Sequence, residues 1–434
     1  MEAMVIGAGI GGLTLGLMLH RAGIPCRVYE AAPEIKPLGV GINLLPHAMK
    51  ELAALGLEPA LAARGVLTAE AVFFNRFGQL IYREKLGRAA GYDWPQVSIH
   101  RGDLQAVLAD AFRQRAGADR LMLGWQCTRV EDAGTEAIAQ FRRAGTEEAL
   151  PPQRGAVVVS AEGIHATIRK QLYPGEGEPI YSGVNMWRGV TRWPPILGGA
   201  AMIRAGWFTH AKIVLYPILD RIDGDGRQLV NWVVEIETPK HERWNWARPG
   251  KLEDFIGPMR DWHFDWLDVP EFLRRSEVML EYPMVDKDPL PRWSFGRITL
   301  LGDAAHPMYP RGSNGAGQAI LDAGALTQCL AASADPVAAL AEYEKRRLQP
   351  TAEVVRTNRT TPPDAILGEV FRRSGDRPFS SIDDIITREE LVAITDAYKR
   401  VAGYDKRQLA QKLAKPRRSR GSRDRSAAPP MPRS

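Results

Sequence analysis

Three glycines near the start of the chain have the spacing of a phosphate-binding turn. Gly7, Gly9 and Gly12 follow the apolar run 3–6 and precede a helical pattern. In such a turn the first glycine allows a tight bend, the second lets the backbone approach a pyrophosphate, and the third packs helix on strand. Glu30 ends the next predicted strand, where a carboxylate can bind ribose hydroxyls. The segment predicts a site for NAD or FAD rather than NADP; the alternative is a glycine turn with a surface glutamate.

A carboxylate and a second glycine-rich turn near residue 300 favour FAD over NAD. Asp303 lies in Gly302–Pro307, which follows an apolar strand and precedes Pro310–Gly317. A carboxylate at a strand end can hold the ribityl hydroxyls of a flavin. A glycine-rich turn into a helix can direct backbone N–H groups to the pyrimidine edge of the flavin ring, where negative charge develops on reduction. The alternative is a structural turn that caps a helix.

In these motifs the chain resembles the single-component FAD-dependent aromatic hydroxylases, which have the p-hydroxybenzoate hydroxylase fold. The segment 302–307 is similar to the second flavin motif of that family, and the resemblance extends over about residues 1–400. Four further stretches resemble the branch of the family that acts on methylphenazine carboxylates in the formation of pyocyanin. They are Leu38–Asn43, Ser98–Gly102, Met186–Thr191 and Tyr282–Asp286.

The resemblance implies roles for individual residues in binding FAD. Arg101 and Gln105 would contact the cofactor, Cys127 would lie beside the adenine, and Asp303 would bind the ribityl chain. The segment Pro310–Gly315 would line the flavin ring. Together with the glycine turn, the predicted cofactor-binding residues are Gly7, Gly9, Gly12, Glu30, Gly41, Arg101, Gln105, Cys127, Glu162, Asp303, Pro310, Gly312, Asn314 and Gly315.

One motif departs from the family pattern. The family has an Asp-Gly pair that serves both FAD and NAD(P)H, whereas this chain has Glu162 before Gly163, Ala166 in place of a serine, and Arg169 retained. Glu162 keeps the carboxylate but lengthens its arm. We expect FAD to bind, and reduction by NADH or NADPH to be altered in efficiency or preference.

The resemblance implies an NAD(P)H- and O₂-dependent monooxygenase. NADH or NADPH would reduce the flavin, O₂ would add to give a C4a-hydroperoxide, and its distal oxygen would pass to an electron-rich aromatic carbon. The chain has no second Rossmann motif, so the nicotinamide would bind only transiently. The substrate would be a phenazine-like or other aromatic carboxylic acid, and hydroxylation could expel its carboxylate as CO₂. No residue is assigned a catalytic role.

Four side chains are predicted to line the substrate cavity. They are Trp187, Arg188 and Tyr216 on strands of a sheet, and Tyr309 beside the second glycine-rich turn. An arginine suits a carboxylate through paired hydrogen bonds. For each residue the alternative is packing within the sheet or a surface ion pair.

Other function classes share some of these features. An FAD-dependent dehydrogenase or reductase would have every flavin motif but would insert no oxygen, and a redox-sensing protein would bind a flavin that nicotinamides do not reduce. The stretch 244–249 approaches a halogenase motif, with Arg248 in place of an isoleucine, but no halogenase lysine motif accompanies it. The eight histidines form no metal-binding pattern, so no metal is expected. No nucleophile elbow suggests hydrolysis.

The elements that must position these residues alternate between two textures. Strand–helix–strand alternation predicts an α/β fold with a Rossmann-type FAD-binding domain, formed by residues 1–70, 100–175 and 285–360. Short strands separated by Gly, Pro and Asp predict an inserted antiparallel-sheet substrate domain at 71–99 and 176–284. C-terminal helices would follow at 361–414, and a disordered basic tail at 415–434.

Charge and cysteine content bound the partners. The last twenty residues contain seven cations and one acid, so they account for the whole net charge of +6. The body therefore gives no support for nucleic-acid or membrane binding. Three separated cysteines indicate no disulfide framework. No apolar run approaches the ~20 residues needed to span a bilayer, and no leader pattern is expected. We expect a cytoplasmic monomer or homodimer whose partners are an aromatic small molecule and O₂.

Overall fold

The computed structural model describes residues 2–36, 39–238 and 248–414, with the backbone alone at 411–414. Leu38, the halogenase-like residues 244–247 and the basic tail 415–434 lie outside the described residues.

Helices and strands alternate in the first part of the chain and near residue 300, as the sequence predicts. The helices are α1 Ile10–Arg21, α2 Pro46–Ala54, α3 Glu58–Ala63, α4 Arg101–Ala116, α5 Thr167–Leu172, α6 Val269–Arg274, α7 Gly315–Ala332, α8 Pro336–Thr360, α9 Ala365–Ser374, α10 Arg388–Ala402 and α11 Lys406–Ala414. The strands are β1 Ala3–Ile6, β2 Cys26–Glu30, β3 Gly41–Leu44, β4 Gly65–Thr68, β5 Glu70–Phe74, β6 Leu80–Lys85, β7 Gln96–His100, β8 Leu121–Leu123, β9 Trp125–Asp132, β10 Ala137–Arg143, β11 Ala149–Gly155, β12 Val157–Ser160, β13 Ile180–Trp193, β14 Ala201–Gly206, β15 Lys212–Leu219, β16 Gln228–Glu237, β17 Arg248–Pro249, β18 His263–Phe264, β19 Leu267–Asp268, β20 Ser276–Asp286, β21 Ser294–Phe295 and β22 Ile298–Leu300.

A six-stranded sheet carries the glycine turn. Its order is β21-β22-β12-β1-β2-β8, and its pairs are parallel except for the β21–β22 hairpin. Every residue of β1 and β12 is buried, as is typical of parallel strands covered on both faces. Helices α1, α4 and α7 pack together beside this sheet, and the β11-β10-β9 sheet contacts it as well. The carboxyl ends of β1, β2, β12 and β22 therefore meet at one edge.

An eight-stranded sheet forms the second layer. Its order is β17-β20-β13-β16-β15-β14-β5-β6. Its pairs are antiparallel, as predicted, with the exception of β14 and β5, which run parallel. One face of this sheet packs on an aromatic cluster that includes Trp232, Phe255 and Phe272. The other face carries Arg188, Arg204 and Tyr216, and it borders a cavity.

Two further units join the layers. The small β3-β7-β4 sheet contacts both α4 and β15, so it connects the two large sheets. The C-terminal helices α9 and α10 place Ile366, Leu367 and Leu391 against Phe73 and Ile81 of the eight-stranded sheet. These C-terminal helices are thus part of the core, and the α/β architecture confirms the fold class that the sequence predicts. In the described residues no helix combines the length and apolarity needed to cross a membrane.

Candidate active site

A cleft of about 520 Å³ lies at the carboxyl edge of the six-stranded sheet. We call it the glycine cleft. The predicted cofactor-binding residues that line it are Gly7, Gly9, Glu30, Arg101, Gln105, Cys127, Glu162, Asp303 and Gly315. Residues that are far apart in sequence thus reach one cleft because parallel strands end at the same edge.

The three glycines of the first turn have three different surroundings. Gly7 has a φ of +106°, and a Cβ there would lie 2.4 Å from the carbonyl oxygen of Ala161. A Cβ on Gly12 would lie 1.9 Å from the carbonyl oxygen of Gly7, so helix and strand are in direct contact. A Cβ on Gly9 would meet no protein atom within 4 Å. The turn is closed on the protein side and open on the side of the glycine cleft.

Two side chains hold this turn. Glu30 accepts hydrogen bonds from the backbone N–H of Ala8 at 2.7 Å and of Ala32 at 2.8 Å. Gln105 donates its side-chain amide to the carbonyl oxygen of Ala8 at 2.8 Å. Cys127 is buried in the cleft wall, and burial raises the pKa of its thiol to about 12. It contributes a neutral surface.

The altered motif anchors a helix. Glu162 accepts hydrogen bonds from the backbone N–H groups of Thr167 and Ile168, both at 3.2 Å, at the start of α5. Ser160 donates its hydroxyl to the same carboxylate at 2.7 Å. Arg169, 1% exposed, donates to the carbonyl oxygens of Ala304 and Ala305 at 3.0 and 2.9 Å. Burial raises the pKa of Glu162, and the hydrogen bonds from Ser160, Thr167 and Ile168 offset part of that rise.

The loop 310–315 is strained and tightly packed. Ser313 has a φ of +51°, which non-glycine residues rarely adopt. A Cβ on Gly312 would overlap the hydroxyl of Tyr398 from α10, so only glycine fits there. Asn314 is buried; its side-chain oxygen contacts the His47 ring nitrogen Nε2 at 2.9 Å, and its Nδ2 has no hydrogen-bond partner in the described residues.

These observations fit FAD. The N-terminus of α1 has neither a capping side chain nor an acid in its first turn, and α7 begins in the same way. Both helix starts therefore have N–H groups to offer to an anionic or polar ligand. The open face at Gly9, before α1, and the unpartnered amide of Asn314, before α7, also indicate a ligand at these two helix starts. When bound, FAD supplies two-electron redox chemistry and activation of O₂.

Asp303 lies at the border of the glycine cleft. Its side chain is exposed to the open space of the cleft, and desolvation by the surrounding protein raises the pKa of its carboxyl. Behind it, His306 contacts Asp322 at 2.5 Å, and Asp322 also accepts from the backbone N–H of Gly302 and from Arg347. This buried network fixes the 302–307 turn.

A second cavity, of about 350 Å³, adjoins the glycine cleft. We call it the sheet cavity. Residues from β13, β14, β15 and β16 form its floor, and the loop 310–315 forms part of its roof. Five residues line both spaces: Ile42, Arg101, Asp303, Gly315 and Ala316. Gly41, Pro310 and Asn314, predicted to bind FAD, line the sheet cavity, and Gly12 and Gly312 serve as packing contacts.

Two of the four predicted substrate residues line the sheet cavity. Arg188 donates to the carbonyl oxygen of Gly41 at 3.2 Å, and Tyr216 is 5% exposed. A Cβ on Gly41 would lie 2.7 Å from the Tyr216 ring, so glycine permits this approach. Burial raises the pKa of Tyr216, and the neighbouring Arg188 lowers it.

The other two predicted substrate residues lie elsewhere. Trp187 stacks on Phe255 at 5.3 Å between ring centroids, on the opposite face of the eight-stranded sheet. Neighbouring residues of a strand point to opposite faces, so Arg188 and Trp187 cannot both reach the cavity. Tyr309 packs among Val184, Phe208 and Met284 rather than in the cavity wall. The prediction for these two residues is corrected accordingly.

The structure contains a cluster of buried charges that was not predicted from the sequence. Lys212, fully buried, contacts Glu235 at 2.6 Å and also pairs with Asp364, and Arg204 contacts Asp364 at 3.1 Å. Arg204, Glu235 and Asp364 line the sheet cavity. Lys212 and Tyr216 are four residues apart on β15, so strand alternation places them on the same face of the sheet. This spacing could have indicated that Lys212 lies near the cavity. Asp364 comes from the C-terminal region, and no local pattern connects it with these strands. Among the described residues no group of three potential ligands could hold a metal ion.

Comparisons with known proteins agree with this geometry. The chain matches the family model described as FAD binding domain over residues 1–192 and 278–358. It is 40% identical over 404 residues to the phenazine 1,6-dicarboxylic acid hydroxylase PhzS of Lysobacter antibioticus, covering 92% of this chain and 97% of that protein. It is 31% identical over 366 residues to the 6-hydroxynicotinate 3-monooxygenase of Pseudomonas fluorescens, covering 81% and 89%.

A solved structure shows the same fold. HpxO of Klebsiella pneumoniae, complexed with FAD and uric acid, has a TM-score of 0.69 at 22% identity and covers 95% of each chain. The family resemblance and the FAD cofactor that the sequence predicts are confirmed. The chain belongs to the FAD binding domain family, among its FAD-dependent aromatic hydroxylases.

Proposed function

We propose that this chain hydroxylates a planar, fused aromatic acid of the phenazine type in the sheet cavity, with FAD in the glycine cleft. The proposal rests above all on the shared wall. Because Ile42, Arg101, Asp303, Gly315 and Ala316 line both spaces, a cofactor in one is adjacent to a substrate in the other. A volume of about 350 Å³ lies in the range of small-molecule sites. The 40% identity to a phenazine dicarboxylic acid hydroxylase supports the substrate class.

The chain's own residues bind and orient rather than react. Arg188 offers a guanidinium to a carboxylate, and Tyr216 beside it offers a phenol hydroxyl. A tyrosine phenol is protonated at neutral pH, and burial raises the pKa of Tyr216 further, so its hydroxyl can donate a hydrogen bond to the substrate. The eight-stranded sheet and the loop 310–315 enclose the space and limit the entry of water.

The reaction takes two electrons from NADH or NADPH. One atom of O₂ enters the aromatic ring and the other leaves as water. If the attacked carbon carries the carboxylate, the carboxylate leaves as CO₂ and its bonding electrons remain with the ring, which then retains the new hydroxyl group. If the carbon carries hydrogen, a proton leaves instead.

The test uses the FAD-loaded protein and phenazine-1-carboxylic acid under oxygen-18 gas, with NADH and NADPH in separate reactions. We expect one labelled oxygen atom in the product for each nicotinamide oxidised. Anaerobic bleaching of the flavin should be faster with the acid than without it. Nicotinamide oxidation that leaves the organic product unlabelled would establish the dehydrogenase or reductase alternative.

Several predictions from the sequence stay predictions at this point. They are the domain boundaries, the individual cofactor-binding roles, the choice between NADH and NADPH, the cytoplasmic location, and the monomeric or homodimeric state. The role of the Glu162 substitution belongs with them, because its carboxylate is engaged by α5 within the chain itself.

A further inference from the structure

Two guanidinium groups in the sheet cavity differ from its other cations. Arg188 and Arg311 both line the cavity, and the Nε atom of each is buried without a hydrogen-bond partner. Within the part of the chain that the structure describes, neither forms an ion pair with a carboxylate. Arg188 donates hydrogen bonds to the carbonyl oxygen of Gly41 and to the hydroxyl of Tyr216, and Arg311 lies over the rings of Phe208 and Tyr309 at 4.7 and 5.5 Å.

The other cations of the cavity are already neutralised. Arg204 pairs with Asp364, and Lys212 pairs with both Asp364 and Glu235. Arg101, which also lines the cavity, is close enough to Asp303 for its charge to lower the pKa of that carboxyl. These three cations and three carboxylates balance. The unbalanced positive charges of the cavity wall are therefore those of Arg188 and Arg311. They lie on different elements, Arg188 on β13 in the floor and Arg311 in the loop 310–315 of the roof.

A buried charge without a partner is costly, and a protein retains it where a ligand supplies the counter-charge. A single carboxylate would leave one of the two guanidiniums without a counter-charge. A ligand with two acidic groups would satisfy both. Aromatic rings of Phe208 and Tyr309 stabilise the Arg311 cation only in part, because a cation–π contact is weaker than a paired carboxylate.

We propose that the sheet cavity contains two anion subsites, Arg188 and Arg311, and that its preferred ligand is a planar aromatic diacid. This inference rests on the proposed function and names the specificity of the same site. Arg188 binds one acidic group beside Tyr216. Arg311 binds the second acidic group at the other wall of the cavity. Both act as binding residues.

The experiment titrates the FAD-loaded protein, without nicotinamide, and follows the perturbation of flavin absorbance. The probes form a series with no, one and two carboxylates: phenazine, phenazine-1-carboxylic acid and phenazine-1,6-dicarboxylic acid. We expect the diacid to bind at least about tenfold more tightly than the monoacid, which reflects one additional charge-assisted contact. R188M and R311M should each weaken diacid binding by about ten- to hundredfold.

The monoacid separates the two subsites. It can occupy one anion subsite at a time, so its affinity should fall substantially in only one of the two variants. R188K and R311K keep the charge but lose the planar fork, and should recover part of the diacid affinity. Arg192→Met is the matched control, because Arg192 is on the same strand as Arg188 but is 52% exposed and pairs with Glu277. Its flavin content and ligand affinities should equal those of the wild type.

Equal affinity of the wild type for monoacid and diacid would overturn the proposal. So would an R311M variant that binds both acids normally but has a lower flavin midpoint potential without ligand, because Arg311 would then offset the charge of the reduced cofactor. Labelled oxygen in a monoacid product, with no preference for the diacid, would leave the proposed function intact and reject this inference. Failure of all three probes to bind would reject both.

Discussion

The glycine cleft and the sheet cavity are neighbours, but they are built in different ways. The glycine cleft is formed mainly by backbone: glycines, helix starts and strand ends, most of which belong to short sequence motifs. The sheet cavity is formed by side chains from β13, β14, β15 and β16 and from a residue near the C-terminus, Asp364. A backbone site tolerates few additions, whereas a side-chain site depends on the balance of its charges. This difference can be tested by removing buried charges from the sheet cavity and by adding a Cβ to glycines of the glycine cleft.

The largest effect is expected from Lys212→Met in the sheet cavity. It leaves Glu235 without its described ion-pair partner and Asp364 with Arg204 alone. Breaking one partner of a buried pair costs about 3–5 kcal/mol of unfolding free energy. Urea unfolding measures the loss. The double variant Lys212→Met, Glu235→Met removes both partners of one pair, and it should be more stable than the single variant. A double variant that loses the sum of both single effects would show that the charges do not act as a balanced set.

A pH-dependent effect is expected where the glycine cleft does rely on a side chain. His306 and Arg347 lower the pKa of Asp322 to about 2, from an ordinary value of 3.8. A lowered carboxyl pKa contributes stability above the ordinary value, and this contribution is lost as the pH falls from about 4 to about 2. The shift corresponds to about 2 kcal/mol. Denaturant unfolding of wild type and Asp322→Asn should show a stability difference that shrinks as the pH falls below about 4.

A pair of glycine substitutions tests the backbone character of the glycine cleft. Gly12→Ala places a Cβ 1.9 Å from the Gly7 carbonyl oxygen and should destabilise the protein by about 1–3 kcal/mol even without FAD. Gly9→Ala meets no protein atom, so the apoprotein should keep its stability while FAD binding weakens. Thermal unfolding with and without FAD separates the two effects. Equal destabilisation of both apoproteins would contradict the open face assigned to Gly9.

The smallest effect is expected from Glu162→Gln at the start of α5. The amide keeps one acceptor for the backbone N–H groups of Thr167 and Ile168 but loses the charge that favours a helix N-terminus. We expect a loss of about 1 kcal/mol, read from the thermal midpoint, with FAD still bound. Ser160→Ala, which removes only the hydroxyl donor to the same carboxylate, is the matched comparison. Loss of FAD from Glu162→Gln would instead assign this carboxylate to the cofactor.

The glycine cleft could be predicted from the sequence far better than the sheet cavity, because one is built from backbone motifs and the other from side chains of separate strands. The turn of Gly7, Gly9 and Gly12 requires particular residues at fixed spacing, so the pattern carries its own geometry. Asp303 could be placed beside it because parallel strands share an edge. In the sheet cavity, strand alternation could have excluded Trp187 once Arg188 was chosen. Asp364 could not have been found, since its approach to Lys212 depends on how the C-terminal region packs.

The order in which the six-stranded sheet is assembled has a consequence for synthesis in the cell. Strand β1 pairs with β12, and β12 pairs with β22, so the edge that bears the glycine cleft remains incomplete until residue 300 has left the ribosome. Most strands of the eight-stranded sheet emerge earlier, between residues 180 and 286. Such distant pairings form slowly. A nascent chain can therefore contain the strands of its inserted sheet before its cofactor site exists, and FAD can be captured only after the residues near 300 have emerged.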